Sequence, residues 1–341
     1  MWFVFALVAT LGWGCADLFY KKSTDENDPH SHLKIAVWVG IVMGACALVL
    51  LPFAESGVGV LNIANLIKYA PASLSYILSM VIGYAGMRYL EVSIISPVQN
   101  GSGAMAAIVM AVWFAFTSSD PLASLSDETG FIFGEVSGLE LVNNILIAGG
   151  ILAIVVGVMA LAVAEHRLAS AENKALIAAG QLDAKAHRKY RLGALALIFP
   201  LLYCLFDTVG TAADGIILDE ETGLNLGEID ILVLYGITFF VIGLGCWLYM
   251  LIRTKKPYNP LKNGWMAVAA GCEEFGQVFY VFAMAAKPVV AAPIIASYCI
   301  VSLVLSHIFL KERLKASQYV CIVAVIVGIV ALGIAEGIGE M

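Results

Sequence analysis

Ten apolar runs, each long enough to cross a bilayer, divide this chain, and 17 of its 19 Lys and Arg residues fall in or at the edge of every second connection between them. A helical span needs about 20 apolar residues, and the runs lie near 2–20, 34–54, 71–90, 93–116, 141–163, 193–218, 231–252, 264–286, 289–310 and 316–338. Only 13% of residues are charged, against roughly a quarter in soluble proteins. The expected fold is an all-α membrane protein with lipid as its solvent.

Basic side chains resist translocation while acidic ones matter little, so the Lys and Arg positions set the orientation. Odd-numbered connections hold Lys21, Lys22 and Lys34; Arg88; Arg167, Lys174, Lys185, Arg188, Lys189 and Arg191; Arg253, Lys255, Lys256 and Lys262; and Lys311, Arg313 and Lys315. Even-numbered ones hold only Lys68 and Lys287. Asp120, Asp127, Glu128, Glu135 and Glu140 follow the fourth span without a basic residue, and Asp219, Glu220, Glu221 and Glu228 follow the sixth. Both termini are expected outside the cytoplasm of a multi-pass plasma-membrane protein. The net charge of −7 comes largely from the outer loops and points to no nucleic-acid partner. The first segment lacks a basic n-region and reads as an uncleaved span. All seven cysteines lie within spans and their number is odd, so they read as small packing residues rather than a disulfide framework.

Five spans on each side of the polar stretch 164–191 place the second half upside down relative to the first, which is the arithmetic of two inverted five-helix repeats. Asp17 in the first span answers Asp207 in the sixth, and a shift of 196 superposes Tyr84 on Tyr280 and Pro97 on Pro293. The expected units are 1–163, with an acidic insert at 117–140, and 192–341. A charged, partly helical cytoplasmic linker at 164–191 joins them. The stretch 57–70 reads as an amphipathic piece in the outer interface, and the insert as a solvated loop with turn formers at Asp120, Pro121 and Gly130.

The run AMAAKPVVAAPIIASYCIVSLVLSHIFLKERLKAS has an Ala-rich turn, a Pro about five residues into the next span and a Leu-Lys-Glu-Arg-Leu exit, and a Gly-containing last span follows it. Residues 268–335 thereby resemble the drug/metabolite transporter superfamily in its EamA-like form. The first half is similar more loosely, through LGWGCADLFYKKS at 11–23, VSIISPVQNGSGA at 92–104 and Gly134-Glu135 before the fifth span. The resemblance implies a transporter of two inverted five-helix units around a central cavity, with no ATP requirement. Many members have both termini in the cytoplasm, and the charges here argue the reverse.

An ionisable side chain at mid-span costs about 2.5 to 3.5 kcal/mol on insertion scales, so it normally faces a bundle interior or a wet cavity. Tyr203, Asp207, Gly210 and Asp214 share one face of the sixth span, and Glu273, Gln277, Tyr280 and Met284 one face of the eighth. Thr10, Gly14, Asp17 and Lys21 share a face of the first, where Asp17 and Lys21 also stand at pairing distance. Three polar stripes are most easily satisfied by converging on one cavity. Glu273 and Glu274 are expected to repel each other, and Asp214 to lie toward the outer mouth. A proton-coupled step and a cationic or amine-bearing substrate both suit this excess of negative charge, and the residues do not separate the two.

Pro97 and Pro293 interrupt their spans, and a proline frees a backbone carbonyl and bends the helix. They are the expected gating positions. Gln99 and Asn100 follow Pro97 as cavity candidates, while Trp13, Tyr203 and Tyr280 offer rings to a substrate. The absence of G-x-x-x-x-G-K-[ST] argues against a nucleotide-driven pump, and that of H-E-x-x-H against a zinc protease. No cofactor or metal is expected. The chain reads as a non-enzymatic secondary transporter that moves a small metabolite or amphipathic amine by alternating access, with Asp17, Gln99, Asn100, Tyr203, Asp207, Glu273, Glu274, Gln277 and Tyr280 at the substrate or coupling site. A divalent-cation transporter or channel is the first alternative, and a non-transporting scaffold or intramembrane enzyme the second.

Overall fold

A hydropathy pattern of this kind leaves the backbone no partner but itself within lipid, so each apolar run must be helical or closed into a barrel. The computed structural model describes residues 1–23, 28, 30–86, 101–136, 138–178, 198–219, 223–224, 226–255, 257–309 and 314–339, with the backbone alone at 21, 84, 86, 165–166, 169–170 and 172–178. Among them the regular structure is entirely helical: α1 Trp2–Ser23, α2 Ser31–Leu50, α3 Ile63–Gly86, α4 Ser102–Thr117, α5 Pro121–Thr129, α6 Leu139–Ala178, α7 Ile198–Leu218, α8 Glu228–Thr254, α9 Gly264–Ala286, α10 Pro288–Ala296, α11 Tyr298–Phe309 and α12 Ala316–Gly339, with short 3-10 turns between some of them.

Among the described residues eight segments are long and apolar enough to cross a membrane, α10 and α11 together forming one of them. The other two expected spans correspond to α4, an apolar helix of 16 residues, and to α9, which has 23 residues but carries Glu273, Glu274 and Gln277. The chain is therefore a multi-pass helical membrane protein.

Along 57–70 a 3-10 turn at Gly57–Leu61 leads into α3, which continues from Ile63 past Pro71. Helix α6 runs 40 residues, carrying the fifth span into the partly helical linker as far as Ala178. One expectation changes. The acidic insert is more than a solvated loop, because Asp120 accepts a hydrogen bond from the Ala123 N–H at 3.2 Å and Pro121 starts α5. Gly130 ends it at φ +71°, a left-handed conformation suited to glycine. The helix then packs against α4 and α10.

Docking of α5 leaves Glu128 half-buried. Burial pushes its carboxyl up from 4.5 to about 8, Asp219 and Asp127 add repulsion, and Lys287 opposes the shift. A carboxyl raised in the folded state stabilises docking fully below its ordinary value, and that contribution is lost as pH rises through about 8. Amide exchange in α5 should therefore accelerate toward alkaline pH beyond its intrinsic base catalysis. Glu128→Gln should abolish the excess, and an identical pH profile in that variant would disprove the link.

Helix pairing depends on small residues, since lipid and helix core are equally apolar. On α12, Val320, Val323, Val327, Val330 and Ile334 face outward, whereas Cys321, Val325, Gly328 and Leu332 are buried. The closest pairs are α1 with α9, α3 with α7, α2 with α8, and α6 with α12. A Cβ on Gly40 of α2 would stand 2.6 Å from the Phe239 carbonyl oxygen of α8, and one on Gly243 2.9 Å from the Ala36 oxygen. Secondary contacts join α1 to α10 and α11, α7 to α4, α2 to α9, α3 to α8, and α4 to α10.

The span containing Pro293 is broken. Helix α10 ends at Ala296, Ser297 adopts φ −75° and ψ 2°, and α11 starts at Tyr298. The Ile294 carbonyl near the break accepts from Ser297 Oγ at 2.5 Å and from Thr10 Oγ1 at 3.2 Å. Pro97, Gln99 and Asn100 lie outside the described residues.

Candidate functional site

Two adjoining cavities lie among α1, α3, α4, α7, α9, α10 and α11. The first, about 530 Å³, is lined by Trp13, Ala16, Asp17, Tyr20, Tyr76, Met80, Gly83, Tyr203, Glu273 and Tyr298. The second, about 460 Å³, shares Trp13, Tyr76, Tyr203 and Tyr298 and adds Ser102, Gly103, Asp207, Thr211, Tyr280, Ala292, Ile295 and Ala296. None of these lining residues is basic.

Hydrogen bonds from neighbouring helices hold each acid. The Ser302 hydroxyl of α11 donates to Asp17, and the Tyr20 hydroxyl donates to Glu273. Ser102 Oγ of α4 donates to Asp207 Oδ2 at 2.5 Å, with Ser79 Oγ 3.4 Å from Oδ1. Asp17 and Asp207 are thus each held by a serine from another helix. Their rings complete the wall: Trp13 stacks on Tyr280 with centroids 5.1 Å apart and meets Tyr298 edge-on at 6.0 Å.

Asp214 is not at an outer mouth. It is 1% exposed and accepts from Tyr69 at 2.7 Å and from Tyr280 at 3.0 Å, which ties α3, α7 and α9 together beyond the cavity. Next to it, a Cβ on Gly215 would stand 2.7 Å from Pro288 and 3.4 Å from Met284, so the helices touch there.

The two glutamates part company. Successive residues leave a helix about 100° apart, so Glu273 reaches the cavity while Glu274 turns to Cys46 of α2. The expected shared carboxylate pair is corrected on this point. Asp17, Tyr203, Asp207, Glu273 and Tyr280 line the cavities; Glu274 and Gln277 do not, although Gln277 is fully buried. Pro293 lies between the lining residues Ala292 and Ile295. Tyr20, Tyr69 and Tyr76 were not anticipated. Tyr69, Ser73, Tyr76, Met80 and Gly83 recur at helical spacing on α3, a polar stripe hidden by the longer apolar run around it.

Residues 222–334 match the EamA-like transporter family. This family is part of the drug/metabolite transporter superfamily. The EamA-like segment runs from the loop before α8 through most of α12, and so contains Glu273, Tyr280 and Tyr298. No curated protein matches the chain. A solved structure described as "Crystal structure of protein" aligns with a TM-score of 0.56 and 12% identity, covering 97% of this chain and 96% of its own. At that identity the likeness is one of fold alone.

Proposed function

We propose that the protein is a ten-helix secondary transporter of the plasma membrane, built from two inverted five-helix units, that moves an amphipathic amine or similar small metabolite by alternating access. The carrying observation is that Asp17, Asp207 and Glu273 stand among aromatic rings on a cavity wall whose lining, among the described residues, includes no basic side chain. Carboxylates attract a cation, and ring faces add cation–π and stacking contacts. The helix contacts support two related units. Exchanging α1, α2, α3, α4 and α6 for α7, α8, α9, α10–α11 and α12 turns the α1–α9 contact into α7–α3, α2–α9 into α8–α3, and α1 with α10–α11 into α7–α4, while α2–α8, α4–α10 and α6–α12 map onto themselves.

With the basic connections in the cytoplasm, the cavity lies toward that side, where α1 carries Asp17 and Tyr20 and α3 carries Met80 and Gly83. The Asp214–Tyr69–Tyr280 bridge closes the opposite side. Alternation would break this bridge and rebuild contacts at the inner end, with the break after Ala296 acting as a hinge and a proton coupled to the cycle. Aromatic walls favour an organic cation over a divalent metal ion, which takes six or more oxygen ligands.

Uptake of labelled tryptamine into proteoliposomes under an imposed pH gradient tests this reading. Tryptamine should enter and indole-3-acetate should not; equal uptake of both would remove the carboxylates from recognition. Flux of Mg²⁺ into dye-loaded vesicles with no amine transport would favour the metal alternative. A periplasmic-type reporter fused after Met341 should be active only outside the cytosol, and cytosolic activity would reverse the orientation.

A further inference from the structure

Gln277 is 0% exposed, and neither its amide nitrogen nor its amide oxygen meets a hydrogen-bond partner among the described residues. The hydroxyl of Tyr235, a residue 1% exposed on α8, is likewise unpartnered there. Buried polar groups in membrane helices are expensive unless satisfied. Their helices, α9 and α8, pack against each other. Gln277 stands one turn from Glu273 and one turn from Tyr280, whose hydroxyl donates to Asp214. Tyr235 interacts electrostatically with Tyr76, Asp214, Tyr69 and Glu273. Its ring stands 5.8 Å from that of Tyr76, which interacts with Glu273, and 6.4 Å from that of Tyr69, which donates to Asp214.

Buried polar groups left open in this way are ones a bridging water can satisfy, since a buried water takes two to four polar partners and both donates and accepts. We propose that Gln277 and Tyr235 hold a chain of water between Glu273 and Asp214, along which a proton passes from the cavity carboxyl to the closing bridge. The transfer balances without another reactant. An O–H bond breaks at the Glu273 carboxyl, each water accepts one proton as it releases another, and an O–H bond forms at the Asp214 carboxylate.

The groups facing Glu273 are Tyr20 and Asp17 from α1, Tyr76 from α3, Tyr235 from α8, and Glu274 on its own helix. Those facing Asp214 are Tyr69, Tyr280 and Tyr235. Among the described residues none of these groups is basic, and the charge proposed to move between the two acids is a proton. Protonating Asp214 would weaken its acceptance from Tyr69 and Tyr280 and so loosen the bridge. This route deepens the transporter reading and rests on it, but the water itself does not.

X-ray radiolytic hydroxyl labelling of the full-length protein in nanodiscs, read by mass spectrometry, tests the water directly, because a bound water generates its radical beside the side chain it touches. Phe239, fully buried and stacked 4.4 Å from Tyr235, is the dry control. Tyr235 should be labelled at least about fivefold more than Phe239, the advantage should vanish in Gln277→Leu, and the isosteric, hydrogen-bonding Gln277→Glu should restore it. Equal silence of both residues, or labelling unchanged in Gln277→Leu, overturns the chain. So does a thermal stability that falls when Na⁺ is replaced by choline, which would assign the site to a metal cation. In proteoliposomes, Gln277→Leu should lower tryptamine uptake driven by a pH gradient and Gln277→Glu should recover it; undiminished uptake in the leucine variant overturns the proton route. If wild-type protein moves no tryptamine, the transporter reading fails for that probe while labelling still decides the water.

Discussion

Glu273→Gln should abolish gradient-driven tryptamine uptake, whereas Glu274→Gln should leave it within about twofold, a difference of roughly 0.4 kcal/mol. The two side chains have the same chemistry and adjacent positions, but only Glu273 lines the cavity, where the Tyr20 hydroxyl donates to it. Glutamine keeps the shape and removes both the charge and the transferable proton. A hydrogen bond to a charged group is worth about 1.5 to 3 kcal/mol, so binding alone should weaken by more than about tenfold, and coupled movement should stop. Glu274 faces Cys46 on α2, away from the cavity. Equal loss in both variants would mean that the contact with α2 also moves during transport. Normal uptake in Glu273→Gln would remove the cavity acid from the mechanism.

The largest effect on folding is expected at the crossing of α2 and α8. Gly40→Leu would drive a side chain into the backbone of α8, where even a Cβ would stand 2.6 Å from the Phe239 oxygen. Overpacking typically costs 1–3 kcal/mol, and a backbone obstacle that cannot change rotamer puts this site at about 3 kcal/mol or more. Gly245→Leu, on the same α8 but with nothing within 4 Å of its Cβ, should be nearly neutral. Melting of the purified variants in detergent should separate them clearly. If both melt alike, the α2–α8 contact is not a major source of stability.

Much of the site was legible because bilayers penalise polar groups strongly. Asp17, Asp207 and Glu273 stood out as isolated acids in apolar runs, and helical spacing placed Tyr203 with Asp207 and Tyr280 with Glu273. Tyr76 did not stand out, since tyrosine is common in membrane helices both as a packing residue and as an anchor. Asp214 was misplaced for a different reason. Its position four residues from the end of α7 suggests a solvated mouth, but Tyr69, 145 residues earlier, and Tyr280 enclose it. The insert was misread because Asp120, Pro121 and Gly130 suit a turn and a capped helix equally well; packing of α5 on α4 and α10 chose the helix.

Hydropathy alone determined that this chain spans a membrane many times, and the isolated acids told which helices carry polar faces, because the cost of exposing a charge to lipid is a property of the segment itself. Rotation of each helix against its neighbours decided the rest: that Glu273 enters the cavity while Glu274 leaves it, that Asp214 is bridged by two tyrosines, and that the polar ends of Gln277 and Tyr235 are buried. Those outcomes depend on where small residues let two backbones approach, and a contact between residues far apart in the chain has no signature in either segment taken singly.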